Sequence, residues 1–442
     1  MIDQRANKNI LAVSAQTREP GINECIDVDQ SLLVSTDNYI NLAPRTETNA
    51  DEMNGKEEAD IIYDNGASAA GSLTFARLQP NQAAFMLAYG LGACASVASG
   101  DGYIHTITPI DGDVDESRSN PSFTTMQRYG ETIAKRRFAS NFINSLSLTF
   151  ATDSWVTGSA EILSTGRYQD SVIEESVTAL DNVETLTLAA NSVAGTTAAE
   201  RLNSVQIVRA KVDGSYEFAV VTAVSDATPA VLTIESLGGT GDSTEYKILY
   251  MPQETLWSTS GDLLYCGDTV ISGWTFPAPV TESPLRVSEM CLYLGGTWNG
   301  STFEGGQKFG SQLTSLELSF ANNGAVEFTP CAGGAYAGRY FRSARTQTVK
   351  INRYMLNMLL QKYRSEGEYI GLHVVCTGKE FATGENYKVE IIYPRLAITA
   401  APISTNNNRV SEAAELQVLE DDTYGSLIVK VTNQVAQYAQ PA

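Results

Sequence analysis

Residues Ser145 to Ala151 read Ser-Leu-Ser-Leu-Thr-Phe-Ala, and residues Ser315 to Ala321 read Ser-Leu-Glu-Leu-Ser-Phe-Ala. Apolar and polar residues alternate in both stretches, which sets Leu146, Leu148 and Phe150 on one face of a strand and Leu316, Leu318 and Phe320 on one face of another. A half-buried strand written twice predicts duplication of a β unit, with these two strands as counterparts. The flanks repeat as well. Strands at Ser72 to Ala76 and Thr346 to Ile351 each precede a helix, and strands at Tyr103 to Thr108 and Tyr369 to Val375 follow those helices. The first helix starts at Pro80 and stops at Gly90, with Phe85, Met86 and Tyr89 on one side. The second is expected over Asn352 to Ser365, where Met355, Leu356, Leu359, Leu360 and Tyr363 make one stripe and Gly367 follows the end.

Most other periodic segments also alternate, among them Glu217 to Thr222, Ala230 to Ile234, Glu245 to Tyr250 and Tyr387 to Tyr393, so the fold is expected to be mainly β. Ser176 to Met251 differs in character. It is rich in Thr, Ala, Val and acids and is punctuated by turns at Asp213-Gly214, Pro229 and Gly238 to Gly241, the pattern of a small inserted β-domain. The expected division is therefore 1–175 and 252–442 as two related units, with 176–251 inserted between them. Gly295 to Gly310 reads as a long exposed hairpin or arm.

Charge limits the function classes. Lys and Arg total 30 against 51 Asp and Glu, a net charge of −21, which repels a phosphate backbone. The acids concentrate in residues 1 to 60, whereas Arg339 to Arg364 carries Arg339, Arg342, Arg345, Lys350, Arg353, Lys362 and Arg364 without an acid. In a self-assembling protein this offers a basic face to an acidic neighbour. The six cysteines form no C-x-x-C pair, so neither zinc nor a disulfide scaffold is indicated. No apolar signal core opens the chain, and Leu78 to Gly100 is broken by Pro80, Asn81, Gly90 and Gly92, so no membrane span and assembly inside a cell are expected.

Catalytic machinery is not expected. His105 and His373, the two histidines, lie inside strands. Cys376, three residues from His373 on a strand, points to the opposite face. Gly90-Leu-Gly-Ala-Cys-Ala95 ends a helix instead of opening one, which excludes a dinucleotide loop. Asp111 to Glu116 clusters carboxylates but lacks the turn glycine and bidentate acid of a calcium loop. Lys135-Arg136-Arg137 at a strand start suits a surface or interface rim better than a phosphate site. No cofactor or metal is expected.

The order of elements resembles that of tailed-bacteriophage tail tube proteins, the major tail protein family. Gly71-Ser-Leu-Thr-Phe-Ala-Arg-Leu, the helix after it, Tyr103-Ile-His-Thr-Ile-Thr-Pro109, Ser122-Phe-Thr-Thr-Met and Asn144-Ser-Leu-Ser-Leu-Thr-Phe are similar to one such unit. Ser315 to Asn323, the helix near Tyr354, Tyr387 to Pro394 and Glu415 to Asn433 are similar to another. The resemblance implies duplicated tail-tube β-sandwich or barrel units, each with a short helix, that polymerise as stacked rings. The tube would be a hollow conduit with an acidic lumen that passes DNA without sequence-specific binding, in a virion tail assembled in the host bacterial cytoplasm. It also implies a tape measure protein and tail terminator or tip proteins as partners. With two units per chain, a trimer of pseudo-sixfold symmetry is favoured over a hexamer. The acidic segment Thr46 to Asp60, with Glu52, Glu57 and Glu58, is the expected reach to the next ring, and Arg339, Arg342, Arg345 and Arg353 its expected partners. A carbohydrate-binding adsorption protein, a capsid-decoration subunit and a glycosidase using two of the 51 acids are the other readings.

Overall fold

A computed structural model describes residues 6–53, 55–110, 120–130, 133–212, 215–253, 274–310, 312–330 and 334–441. Alternating sequence yields antiparallel strands, and the fold is mainly β. The first half runs β1 (Ile10–Val13), β2 (Gln30–Leu32), β3 (Ile40–Thr48), β4 (Ile62–Phe75), α1 (Pro80–Leu91), β5 (Gly92–Ser99), β6 (Gly102–Pro109), β7 (Phe123–Tyr129), β8 (Ala134–Ala151), β9 (Thr157–Ser164) and β10 (Tyr168–Asp170). Next come β11 (Ile173–Leu180), β12 (Thr185–Thr187), α2 (Ala198–Ser204), β13 (Val205–Val212), β14 (Ser215–Phe218), β15 (Val221–Val224), β16 (Val231–Ile234) and β17 (Ser243–Tyr250). These make two small sheets around a separate core that includes Leu186, Val208, Leu232, Tyr246 and Ile248.

The second half runs β18 (Met290–Trp298), β19 (Phe303–Glu304), β20 (Gln307–Phe309), β21 (Leu313–Ala321), β22 (Ala325–Glu327), β23 (Arg339–Phe341), β24 (Thr346–Tyr354), α3 (Leu359–Glu366), β25 (Tyr369–Ala382), β26 (Glu385–Ala400), β27 (Ile403–Asn406), β28 (Arg409–Leu419) and β29 (Ile428–Asn433). Its pairings repeat those of the first half. The contacts β1·β2, β1·β7, β7·β8, β8·β9, β9·β4, β4·β3 and β8·β10 recur as β18·β20, β18·β25, β25·β26, β26·β28, β28·β24, β24·β21 and β26·β29, all antiparallel. α1 follows β4 as α3 follows β24.

The repeat corrects the correspondence that the seven-residue echo suggested. β8 comes after α1, whereas β21 comes before α3, so β8 corresponds to β26 and β21 to β3. The two echoing strands are neighbours: Leu148 lies opposite Leu318, Ser145 opposite Ala321 and Ala151 opposite Ser315. They share a pattern because both bury the same face of one sheet. That sheet runs β3-β4-β9-β8-β21-β24-β28, continued by the end of β26 and β27.

α1 lies across the sheet's apolar side, and all twelve of its residues are buried. A Cβ on Gly90 would come within 2.5 Å of Leu146 Cδ2, and Gly92 ends the helix at φ 100°. Leu87, Leu91, Leu146, Leu148, Leu318, Phe320, Ile391 and Val429 close around an apolar void of only about 10 Å³. α3 is shorter than expected. Gln347, Val349, Ile351 and Arg353 alternate into the core, so the strand claims residues as far as Tyr354; Leu356 is left 70% exposed outside the helix. Gly295 to Gly310 folds back as the exposed hairpin β18-β19-β20, anchored by the buried Trp298 and Phe309.

β8 changes neighbours along its length within one continuous sheet and bends at Ser140, where φ is +47°. Buried Glu19 accepts the Ser140 N–H (3.0 Å) and the hydroxyls of Ser140 (2.8 Å), Ser122 (2.7 Å) and Thr124 (2.6 Å). Burial raises its pKa, against which these hydrogen bonds act. Glu19→Ala leaves those donors unpaired and is expected to lower stability by about 3 kcal/mol, read from urea unfolding. Glu282 accepts the Asn81 N–H (2.7 Å) at the start of α1, and burial pushes its pKa up to about 7. Because burial favours the neutral carboxyl, its contribution to stability is full below about 4.5 and is lost as pH rises from there through 7, when a charge must be carried in the core. Glu282→Gln is expected to flatten the pH dependence of unfolding between 5 and 8, by up to about 3 kcal/mol.

Candidate assembly edges

The sheet ends in two unsatisfied edges. Among the described residues, β3 pairs with β4 alone, and its other side is exposed from Ala43 to Thr48. At the far end, β25 accompanies β26 only to Ala397, and beyond it Ile398 to Ala400 and the wholly exposed β27 are paired on the β28 side alone. An open edge carries free N–H and C=O groups that another strand can pair with. The internal junction shows which strands fit: β8 is the counterpart of β26 and its continuation, and β21 is the counterpart of β3. The contact β8·β21 is thus the same kind of contact that the two free edges could make between copies.

The face of the sheet turned from α1 is hydroxylic. Ser159, Ser147, Ser319, Thr348 and Gln417 follow one another across five strands. Ser147 Oγ lies 2.8 Å from Ser159 Oγ, and Ser319 and Thr348 also hydrogen-bond. Lys350 stands between Glu317 and Glu415, with its ammonium 3.7 Å from the Glu415 carboxylate. Glu161 accepts a hydrogen bond from Ser145 (2.9 Å).

The residues singled out for inter-ring contact divide. Arg339 is exposed with its guanidinium 5.7 Å from the Phe341 ring, and Arg345 is half-buried. Arg342 is buried and donates to the Ile110 carbonyl (3.1 Å). Arg353 cannot belong to a basic surface. It lies on the core face of β24, where its side chain and that of its ion-pair partner Glu412 are both 0% exposed. Glu52, Glu57 and Glu58 are exposed in the loop between β3 and β4, and Glu52 accepts from Tyr63 Oη (3.1 Å). The acidic loop and the Arg339–Arg345 segment lie at one end of the sheet. Arg45 sits 4.2 Å over Phe328, and the Ala67 N–H donates to the Ala335 carbonyl (2.9 Å).

His105 and the run Lys135 to Arg137 make contacts inside the fold. His105 bridges Ser96 Oγ (2.8 Å) and Asn433 Oδ1 (3.0 Å), and burial lowers its pKa. Arg136 is paired with Asp170, Arg137 stacks 4.6 Å from Trp274, and Lys135 donates to the Trp274 carbonyl; burial pulls the Lys135 pKa down to about 8. Asp111 to Glu116, Cys266, Cys331 and Trp257 lie outside the described residues. Among the described residues no cluster of metal ligands occurs, and no helix is long and apolar enough to cross a membrane. Sequence reasoning missed Glu19, Glu282 and Glu412, since nothing local marks an acid as buried.

No family model and no curated protein matches the chain. Among solved structures it is similar to the SPP1 tail tube, determined by solid-state NMR and cryo-electron microscopy. The identity is 13%, over 34% of this chain and 79% of that one, with a TM-score of 0.23.

Arg353→Leu strands Glu412 in the core and is expected to cost about 3–5 kcal/mol in urea unfolding. The exposed Arg339→Glu is expected to stay within about 0.5 kcal/mol of the unsubstituted chain.

Proposed function

We propose that this chain is a structural virion protein that polymerises as stacked rings into a phage tail tube, a conduit through which DNA leaves the particle. The observation that carries the reading is the repeated run of strands within one sheet, joined at β8·β21 and open at β3 and β27. In each unit the first and last strands run in opposite directions, so an antiparallel junction repeats by rotation without reversal. Such a heterologous contact closes into a ring when the rotation closes. Three chains with two units each give a pseudo-sixfold ring.

Ring closure pairs the Ile398–Asn406 edge of one copy with Ala43–Thr48 of the next and removes both open edges. α1 covers the apolar side of the sheet, so the hydroxyl face with Glu161, Glu317, Glu415 and Lys350 becomes the lumen. A polyanion passing this surface meets small hydroxyls and more carboxylates than ammonium groups, and finds few counterion-releasing contacts to hold it. A tape measure protein inside the tube and terminator or tip proteins at its ends follow from the sequence resemblance.

Negative-stain electron microscopy of the purified chain over a range of concentrations is expected to show three-lobed rings and straight hollow tubes. Ser404→Pro and Thr405→Pro, made separately, test the edge, because one of these two N–H groups points outward. The outward variant is expected to keep its circular dichroism and urea midpoint while losing all polymer. Tubes formed unchanged by both variants would remove β27 from the ring contact.

A further inference from the structure

We propose that Arg128, Lys135 and Arg137 form a binding site for a phosphate group on the face of the first unit that Trp274 and Phe276 cover. The inference is independent of the stacked-ring reading. Along the chain Lys135-Arg136-Arg137 is one basic run, but a strand turns alternate residues to opposite faces. Arg136 goes to one side, where Asp170 receives its guanidinium at 2.5 and 2.8 Å. Lys135 and Arg137 go to the other. There the register of β7 with β8 sets Arg128 directly opposite Lys135 and Met126 opposite Arg137. Three cations from two strands thus occupy neighbouring positions of one sheet face, although like charges directly opposite each other work against strand pairing.

This is a built site and not a solvated rim. Arg137 is only 4% exposed, with its guanidinium 4.6 Å over the Trp274 ring, and the Arg128 guanidinium lies 6.0 Å from the Phe276 ring. Lys135 Nζ donates to the Trp274 carbonyl (3.2 Å), and Arg128 Nη2 donates to the Lys8 carbonyl (2.9 Å). Carbonyls and ring faces orient these cations without neutralising them. Burial, together with the charges of Arg128 and Arg137, pulls the Lys135 pKa down to about 8, as expected of cations crowded where water is scarce. Arg128 carries the argument furthest. Its Nε is buried and meets no acceptor among the described residues, so part of its planar fork is left to donate. A guanidinium fork offers parallel N–H groups to two oxygens of one anion, and an ammonium adds a point contact. Phosphate, with its oxygens spread around a centre, can meet all three side chains at once, whereas a carboxylate offers two oxygens in one plane. Bound there, it would tie β7 and β8 together and offset their like-charge repulsion.

The full chain is titrated with inorganic phosphate at constant ionic strength, and binding is followed by calorimetry and by broadening of the phosphorus NMR line. Saturable binding of one phosphate per chain is expected. Arg128→Gln is expected to weaken it at least about tenfold, the worth of a hydrogen bond to a charged group. Arg128→Lys keeps the charge but loses the fork and is expected to fall between. The exposed Lys379→Gln is expected to bind as the unsubstituted chain does. Glycerol 3-phosphate, titrated in parallel, separates the sources: tighter binding than inorganic phosphate marks a phosphate carried on a larger molecule, weaker binding marks the free ion, and both support the site. Absence of saturable binding to the unsubstituted chain would overturn the proposal. So would undiminished binding by an Arg128→Gln variant with the circular dichroism of the unsubstituted chain. Should that variant fail to fold, a crystal structure of the unsubstituted chain grown in phosphate decides, since a tetrahedral peak among the three side chains upholds the site and its absence refutes it.

Discussion

Both edges of every strand must find partners, and β8 is where that requirement shapes the molecule. Its first part is flanked by β7 and β10, its last part by β9 and β21. Without β21 the end of β8 would be an open apolar edge lying over α1. The second unit is held in place by that need, through seven paired residues from Ser145 to Ala151. The register has no slack. A slip of one residue would turn Leu316, Leu318 and Phe320 onto the hydroxyl face and leave Leu87 and Leu91 of α1 without partners.

A long strand that changes neighbours along its length must also bend, and the two units solve the bend differently. β8 pairs with β10 up to Phe138 and with β9 from Asn141, and Ser140 at the changeover takes a left-handed conformation. Its N–H leaves the ladder, and Glu19 receives it inside the core. β26 pairs with β29 up to Ile392 and with β28 from Arg395, and Pro394 lies at the changeover. Proline brings no N–H, so no acceptor has to be buried there. A second interior charge, the Arg353 and Glu412 pair, ties β24 to β28, and Gln361 of α3 donates to the same Glu412 carboxylate (3.2 Å).

These differences explain what the sequence disclosed. Period-two alternation reports which face a residue occupies, so the β character, the common face of Leu146 and Leu318 and the helix from Pro80 were all legible. Alternation does not report a strand's neighbour, so two strands with one pattern read as counterparts when they are partners. The stripe from Met355 to Tyr363 obscured the alternation of Gln347, Val349, Ile351 and Arg353, because both periods fit Asn352 to Tyr354. Arg353 counted as a surface charge since its burial depends on Glu412, which arrives from a strand 59 residues later. Alternation does not report open edges either. They became visible only when each strand's pairings could be followed.

Duplication within one chain also changes the energetics of the proposed ring. The β8·β21 junction is intramolecular, so it forms with folding and does not depend on concentration. Each junction between chains costs translational and rotational freedom, a term of about 4–15 kcal/mol for association. A ring of three two-unit chains needs half as many such junctions as a ring of six one-unit chains with the same strands. The intermolecular edge can then be weaker than the internal one and still close the ring. This fits the composition of the free edges: β3 carries Pro44 and exposed polar residues, and β27 reads Ile-Ser-Thr-Asn, whereas the internal junction is built on Leu148 against Leu318. A weak polar edge resists unwanted pairing while the chain is free. It becomes sufficient once a second contact holds the copies in register.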